Sequence, residues 1–225
     1  MALNEARDVP AISGWVRYHL ATLRMTVTGV PHWVWPLPVI LGLAIIALMQ
    51  TPFGWVTDKQ YQEIVAPTVI GLAACLSLFV HRWTGATFTL ILACFCWALF
   101  LREIRFPGSS KGMYASLFIL ACWASVRRDE VRTYLARKPI ASLLAAASWT
   151  YFFTKLLDQH HLSFLPRYYD WNNNVEESLE TLAHLMVFAL VVAALRAVWL
   201  YDRSAASGDT GQGARKRTRN RGSKR

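Results

Sequence analysis

Six apolar windows constrain what this chain can fold into more than any other feature. They lie at roughly 33–50, 64–80, 84–101, 113–126, 139–157 and 181–200. A hydrocarbon core about 30 Å thick is crossed by a helix rising 1.5 Å per residue, and a run of this kind with few charges reads as a membrane span. The fourth window is the weakest, being short and followed at once by Arg127 and Arg128. Composition agrees: 54% of residues are hydrophobic and 17% charged, too few charges for the surface of a soluble domain of this length. The expected fold is an all-α integral membrane protein, a bundle of about six transmembrane helices. Its organisation reads as a cytoplasmic segment 1–31 with an interfacial helix, a transmembrane domain 32–200, and a basic tail 201–225.

The basic residues orient the bundle, because Lys and Arg accumulate on the cytoplasmic side. With the N-terminus inside, the inner segments hold seventeen of them: three in 1–31, Arg82, five in 127–138 and eight in the tail. The outer loops hold five, namely Lys59, Arg102, Arg105, Lys111 and Arg167, while Lys155 and Arg196 fall within spans. Both termini are therefore expected in the cytoplasm. The short loops and basic inner face fit a bacterial inner membrane. Trp33, Trp35, Trp55, Trp83, Tyr114, Trp171, Trp199 and Tyr201 read as interfacial belt positions.

The two ends differ in character. Residues 11–25 place Ile12, Trp15, Val16, Leu20 and Leu23 against Arg17 and Arg24, the pattern of a short amphipathic helix lying on the inner surface. No small-residue cleavage site follows the first apolar run, so that run reads as a span and not a signal peptide. The tail from Ser204 is rich in Gly, Ser, Arg and Lys without an aromatic residue, and reads as disordered. Its cations suit anionic inner-leaflet lipid. Without stacking aromatics it gives no ground for specific nucleic-acid binding. Cys75, Cys94, Cys96 and Cys122 all sit in apolar runs without metal-binding spacing, as small buried hydrophobes do.

Polar side chains in or near hydrocarbon are costly, so each needs a reason. Most fall at the outer ends of the third, fifth and sixth windows. In the sixth, Glu177, Glu180 and His184 share a sector of about 60° on a helix. Glu180 and His184 are four apart, the spacing at which a helix offers two ligands to one metal ion. Asn and acidic residues at a helix start also serve as caps and as complements to the macrodipole, which accounts for Glu176 and Glu177 without function. In the fifth window Ser148, Tyr151, Lys155 and Asp158 form one stripe. Lys155 either snorkels outward or pairs with Glu180 or Glu103. In the third, Glu103 continues the face of Cys96 and Leu99 and can point into the bundle, whereas Arg102 points about 100° away. The outer loop from Asp158 to Asn174, with His160, His161, Pro166, Arg167, Tyr168, Tyr169 and Asp170, is long enough to fold over this face as a lid. The candidate polar cluster is Glu103, Tyr151, Lys155, Asp158, Glu177, Glu180 and His184, with Glu180 and His184 as candidate ligands of a divalent metal ion.

The run Arg102-Glu103-Ile104-Arg105-Phe106-Pro107-Gly108-Ser109-Ser110 with Tyr114, together with Glu176, Glu177, Glu180, Ala183 and His184, resembles a group of uncharacterised bacterial polytopic inner-membrane proteins. The resemblance covers the C-terminal half. It implies that the Arg-Glu-x-x-Phe-x-Gly-x-Ser and Glu-Glu-x-x-Glu-x-x-x-His elements belong together, and it implies no activity.

Several chemistries lack their residues. There is no Gly-x-Ser-x-Gly elbow, no Walker A loop and no His-Glu-x-x-His. The Pro-Ser-Gly-His element of membrane phosphatases and the His spacing of alkaline ceramidase-like hydrolases are missing too. With no complete catalytic constellation, the expectation is an accessory or assembly subunit, or a small carrier, with a polar binding site in the outer leaflet. Its partners would be the bilayer and another membrane protein. The alternative is a membrane-embedded metal-dependent hydrolase or transferase acting on a lipid, with Glu177 or Asp158 as base.

Overall fold

The computed structural model describes residues 30–104, 109–165 and 168–221, all of them in helices, turns or short connections. The amphipathic segment expected at 11–25 lies outside the described residues. Seven α-helices follow in order among the described residues: α1 (Leu37–Met49), α2 (Lys59–Thr84), α3 (Thr87–Glu103), α4 (Ser109–Val126), α5 (Arg128–Leu135), α6 (Lys138–Asp158) and α7 (Tyr168–Arg221). Short 3-10 turns at His32–Val34 and Gly54–Thr57 precede α1 and α2. The all-helical class is as the sequence indicates.

Three helical stretches are long and apolar enough to cross a membrane: Lys59–Thr84, Lys138–Asp158 and Tyr168–Trp199. Helix α1 has 13 residues and α3 has 17, about 20 Å and 26 Å of rise. Helix α1 also starts well inside the bundle. The Trp149 indole, in the middle of α6, donates to the Trp35 carbonyl at 2.8 Å, and Val30 and Val34 pack against Ala146. Trp35, read as an interfacial aromatic, thus sits level with the middle of α6. Helix α1 therefore runs along only about half the length of α6.

Helix α7 is the axis of the fold. It packs most extensively against α6 and α2, and also touches α1 and α3. Val187, Leu190, Val191 and Ala194 are buried in the main core with Ile70, Ala73, Ala74, Leu92, Cys96 and Ala147. Alanines at these contacts let helix backbones approach closely, which supplies packing where lipid leaves no hydrophobic drive between helices. Ile64, Leu72, Phe79, Phe118 and Ile119 are exposed, the arrangement of a lipid-facing surface.

Local signals set the ends. Gly85 closes α2 with φ of 64°, its N–H bonding the His81 carbonyl at 2.8 Å. Helix α6 ends the same way, but with His160 in the left-handed conformation at φ of 56°. The His160 and His161 amides donate to the Leu157 and Leu156 carbonyls, closing a Schellman turn.

Two expectations are corrected at α7. The segment 168–174, expected in the outer loop, is helical, so the connection shrinks to 159–167 and offers no lid of the expected length. The cause is an apolar stripe at helical spacing: Tyr168, Trp171, Val175 and Leu179 pack against α1 and α6, and the Tyr168 hydroxyl donates to the Leu157 carbonyl at 2.5 Å. At its other end α7 continues in helical backbone through the tail to Arg221, where disorder was expected. Extending an existing helix adds one hydrogen bond per residue without a nucleation cost, though Gly208, Gly211 and Gly213 in this stretch are poor helix formers.

Candidate functional site

Helix α3 ends short of its neighbours, and that positions the site. Its last turn lies level with Tyr151 of α6, seven residues or about 10 Å inside the end of that helix. Arg102 and Glu103 close α3 there. Cys96 and Leu99 are buried, and Glu103 follows one turn after Leu99 on the same inward face, with 9% of its side chain exposed. Helix α7 brings Glu180 and His184, one turn apart, to the same level.

Five side chains from three helices meet at this depth. Arg102 Nη1 donates to Glu180 Oε1, and the same nitrogen stands 3.7 Å from Glu103 Oε1. The imidazole of His184 is fully buried, its Nε2 3.8 Å from Glu103 Oε1, beyond hydrogen-bond reach. The Tyr151 ring meets the His184 ring edge to face at 5.5 Å. Neither ring nitrogen of His184 nor the Tyr151 hydroxyl has a hydrogen-bond partner among the described residues. Buried polar groups are nearly always paired, so three unsatisfied atoms side by side require an explanation.

Three buried threonines near the cluster behave differently, whereas Ser178 Oγ and Asn172 Oδ1, elsewhere on α7, also lack a partner among the described residues. Thr150, Thr154 and Thr181 each turn their hydroxyl to a carbonyl of their own helix, at 2.8, 2.8 and 3.1 Å. They are satisfied locally and ask for nothing further.

Of the seven residues singled out in the sequence, Glu103, Tyr151, Glu180 and His184 come together, and Lys155, Asp158 and Glu177 do not. Lys155 pairs with Asp158 on its own helix at 2.5 Å, with both side chains partly exposed, and reaches neither Glu180 nor Glu103. Glu177 turns to Lys59 at 3.5 Å, tying α7 to the start of α2. Arg102, expected to point away, is the residue sequence reasoning missed. Its long side chain swings around the last turn of α3 to the two carboxylates. The signal available was the lack of another cation for Glu180 once Lys155 had a partner one turn away.

The metal reading does not fit this geometry. Among the described residues no group of three or more His, Cys, Asp or Glu is arranged to hold a metal ion. The Glu180 oxygen that would face the ion is already engaged by a guanidinium. A divalent cation there would stand against Arg102.

A separate cavity of about 250 Å³ lies under the 159–165 connection, walled by apolar side chains including Phe153, Leu157 and Trp171. None of the five clustered residues lines it. The polar site is separate from this cavity. No protein-family model, no curated protein and no solved structure matches this chain.

Proposed function

We propose that this chain is a six-span protein of a bacterial inner membrane with both termini in the cytoplasm, acting as a small carrier or accessory subunit. Its outer-leaflet polar site binds one exchangeable proton among Glu103, His184 and their neighbours. The observation that carries this reading is the fully buried His184, unpaired at both ring nitrogens and 3.8 Å from a buried carboxylate. A neutral imidazole has one donor and one acceptor nitrogen, and is the side chain best suited to accept and release a proton.

Burial supports the same reading. The Glu103 and Glu180 side chains are only 9% and 10% exposed, and a carboxylate charge held in an apolar bundle is costly, a cost that a bound proton relieves. The Arg102–Glu180 pair fixes the depth and holds the second carboxylate, leaving Glu103 and His184 as the exchanging groups. The carrier reading is favoured over a purely accessory one because a static structural pair has no use for an unpaired imidazole.

Infrared difference spectra of the reconstituted full chain between acidic and alkaline buffer test this directly. Wild type should show a carboxylic-acid band that disappears in Glu103→Gln and moves in His184→Phe. If wild type shows no protonated buried carboxyl at any pH, or if Glu103→Gln leaves the band intact, the proton site is not this one. His184→Phe should fold at least as stably as wild type, since removing a buried group that lacks hydrogen bonds relieves a desolvation cost. Thermal unfolding in detergent measures that.

A further inference from the structure

We propose that α5 and the start of α6 form a docking surface for the phosphate headgroups of anionic phospholipids, with Arg132, Arg137 and Lys138 as its cations. This rests on the reading of the long helices as membrane spans, and is independent of the proton site.

Helix α5 is amphipathic and tied down on one side. Val131 is buried, Leu135 packs against the main core, and the Tyr134 ring stacks on Phe88 at 4.6 Å with 10° between planes. The opposite side presents Arg128 and Arg132, both exposed and one turn apart. A short helix joining two apolar helices at one end of a bundle, apolar face inward and cations outward, has the placement of an interfacial segment.

The charges at this end are not balanced by the protein. Between 127 and 138 stand five Lys or Arg and two acids. Both acids are taken: Glu130 lies 3.3 Å from Arg127, and Asp129 lies 4.0 Å from Arg128. Among the described residues no ion pair involves Arg132, Arg137 or Lys138, and Arg137 sits 6.0 Å over the Tyr134 ring. The opposite end is built differently. Lys59, Arg102 and Lys155 there each pair with a carboxylate of the chain itself, Lys111 being the exception among the described cations.

An external anion therefore fits the α5 end, where three described cations lack a partner in the chain, against Lys111 alone among the described cations at the other. Guanidinium groups bind phosphate oxygens in a planar, bidentate fashion, and an ammonium adds a point charge. A row of cations held in the plane of the interface meets a layer of headgroups, not one soluble ion.

The full-length protein, reconstituted with equal amounts of phosphatidylcholine and phosphatidylglycerol and then released gently, would be examined by native mass spectrometry for retained lipid. Wild type should keep phosphatidylglycerol in preference. The doubly substituted R132Q/K138Q should lose that preference by about tenfold, from the attraction each basic residue exerts near a charged leaflet. The charge-retaining R132K/K138R and the opposite-end K111Q should keep it. Equal retention by R132Q/K138Q, which would place the attraction in the tail alone, overturns the proposal. So does an equal loss in K111Q, or displacement of the lipid by millimolar inorganic phosphate. Alkaline carbonate extraction separates the two readings. A chain stripped from the membrane overturns the spanning reading. A chain that stays integral yet shows no headgroup preference overturns only the docking surface.

Discussion

Arg102 and Glu180 show how much one buried pair decides. Their side chains are 17% and 10% exposed, so neither charge is well served by solvent. Removing one partner leaves the other uncompensated, which in comparable settings costs about 3–5 kcal/mol. Glu180→Leu or Arg102→Met alone should therefore lower stability by that order in detergent unfolding. The double substitution removes one charge of each sign and leaves the net charge beside Glu103 unchanged. It should recover part of the loss, since apolar replacements of a buried pair are often neutral, but not all of it, because Glu103 also loses the guanidinium 3.7 Å away. If the two losses simply add, the contact between Arg102 and Glu180 does not carry the coupling. Part of this was legible in the sequence. The helical register of Glu103 after Cys96 and Leu99, and of His184 after Glu180, needs only 100° per residue. The partner of Glu180 was not legible. An Arg side chain reaches far enough to bend around a helix end, so its Cβ direction does not fix where its charge goes.

At the scale of elements, the apolar helices were readable, while helix ends and the short α5, read as part of an inner loop, were not. The six apolar windows each became a helix, because runs of that length and composition have no other way to satisfy their backbone groups in an apolar setting. The start of α7 was misread because three asparagines and the following acids look like a cap, while the stripe of Tyr168, Trp171, Val175 and Leu179 runs through them at three- and four-residue spacing. Tyr168 is the anchor of that extension: 1% exposed, in edge contact with His160, Tyr169 and Trp171, and bonded to the last turn of α6. Tyr168→Phe should cost about 1 kcal/mol, the worth of one hydrogen bond. Tyr168→Ala should cost about 3–5 kcal/mol, as large-to-small changes of aromatic core residues do. Hydrogen exchange should then show amides 169–176 opening while those beyond Leu179 stay protected. Unchanged exchange in Tyr168→Ala would mean that the first two turns of α7 are held by something else.

For the molecule as a whole, the question is which helices cross the membrane. Helices α2, α6 and α7 meet the length and composition of a span. Helices α1, α3 and α4 are shorter, and they pack around the long ones, with α4 resting chiefly on α3. Short spans are accommodated by local thinning of the bilayer or by flanking residues that reach the interface, at modest cost. Trp35, at the start of α1, lies level with Trp149 in the middle of α6, so the described part of α1 reaches along only about half of α6. A single topology experiment on the full chain distinguishes the alternatives. Cysteines placed singly at Thr51, Lys111 and His161, in a background with the four native cysteines replaced, should react with a membrane-impermeant maleimide added outside intact cells. Cysteines at Gly85, Glu130 and Ser223 should react only after permeabilisation. Labelling of Gly85 from outside would break the pairing of α2 with α3 as two crossings. Labelling of Lys111 from inside only would remove α3 and α4 as spans together, because they share that connection. In that case Glu103 and His184 would still meet between α3 and α7, but at a depth set by the three long helices alone, and the outer-leaflet placement of the proton site would fall with the six-span topology.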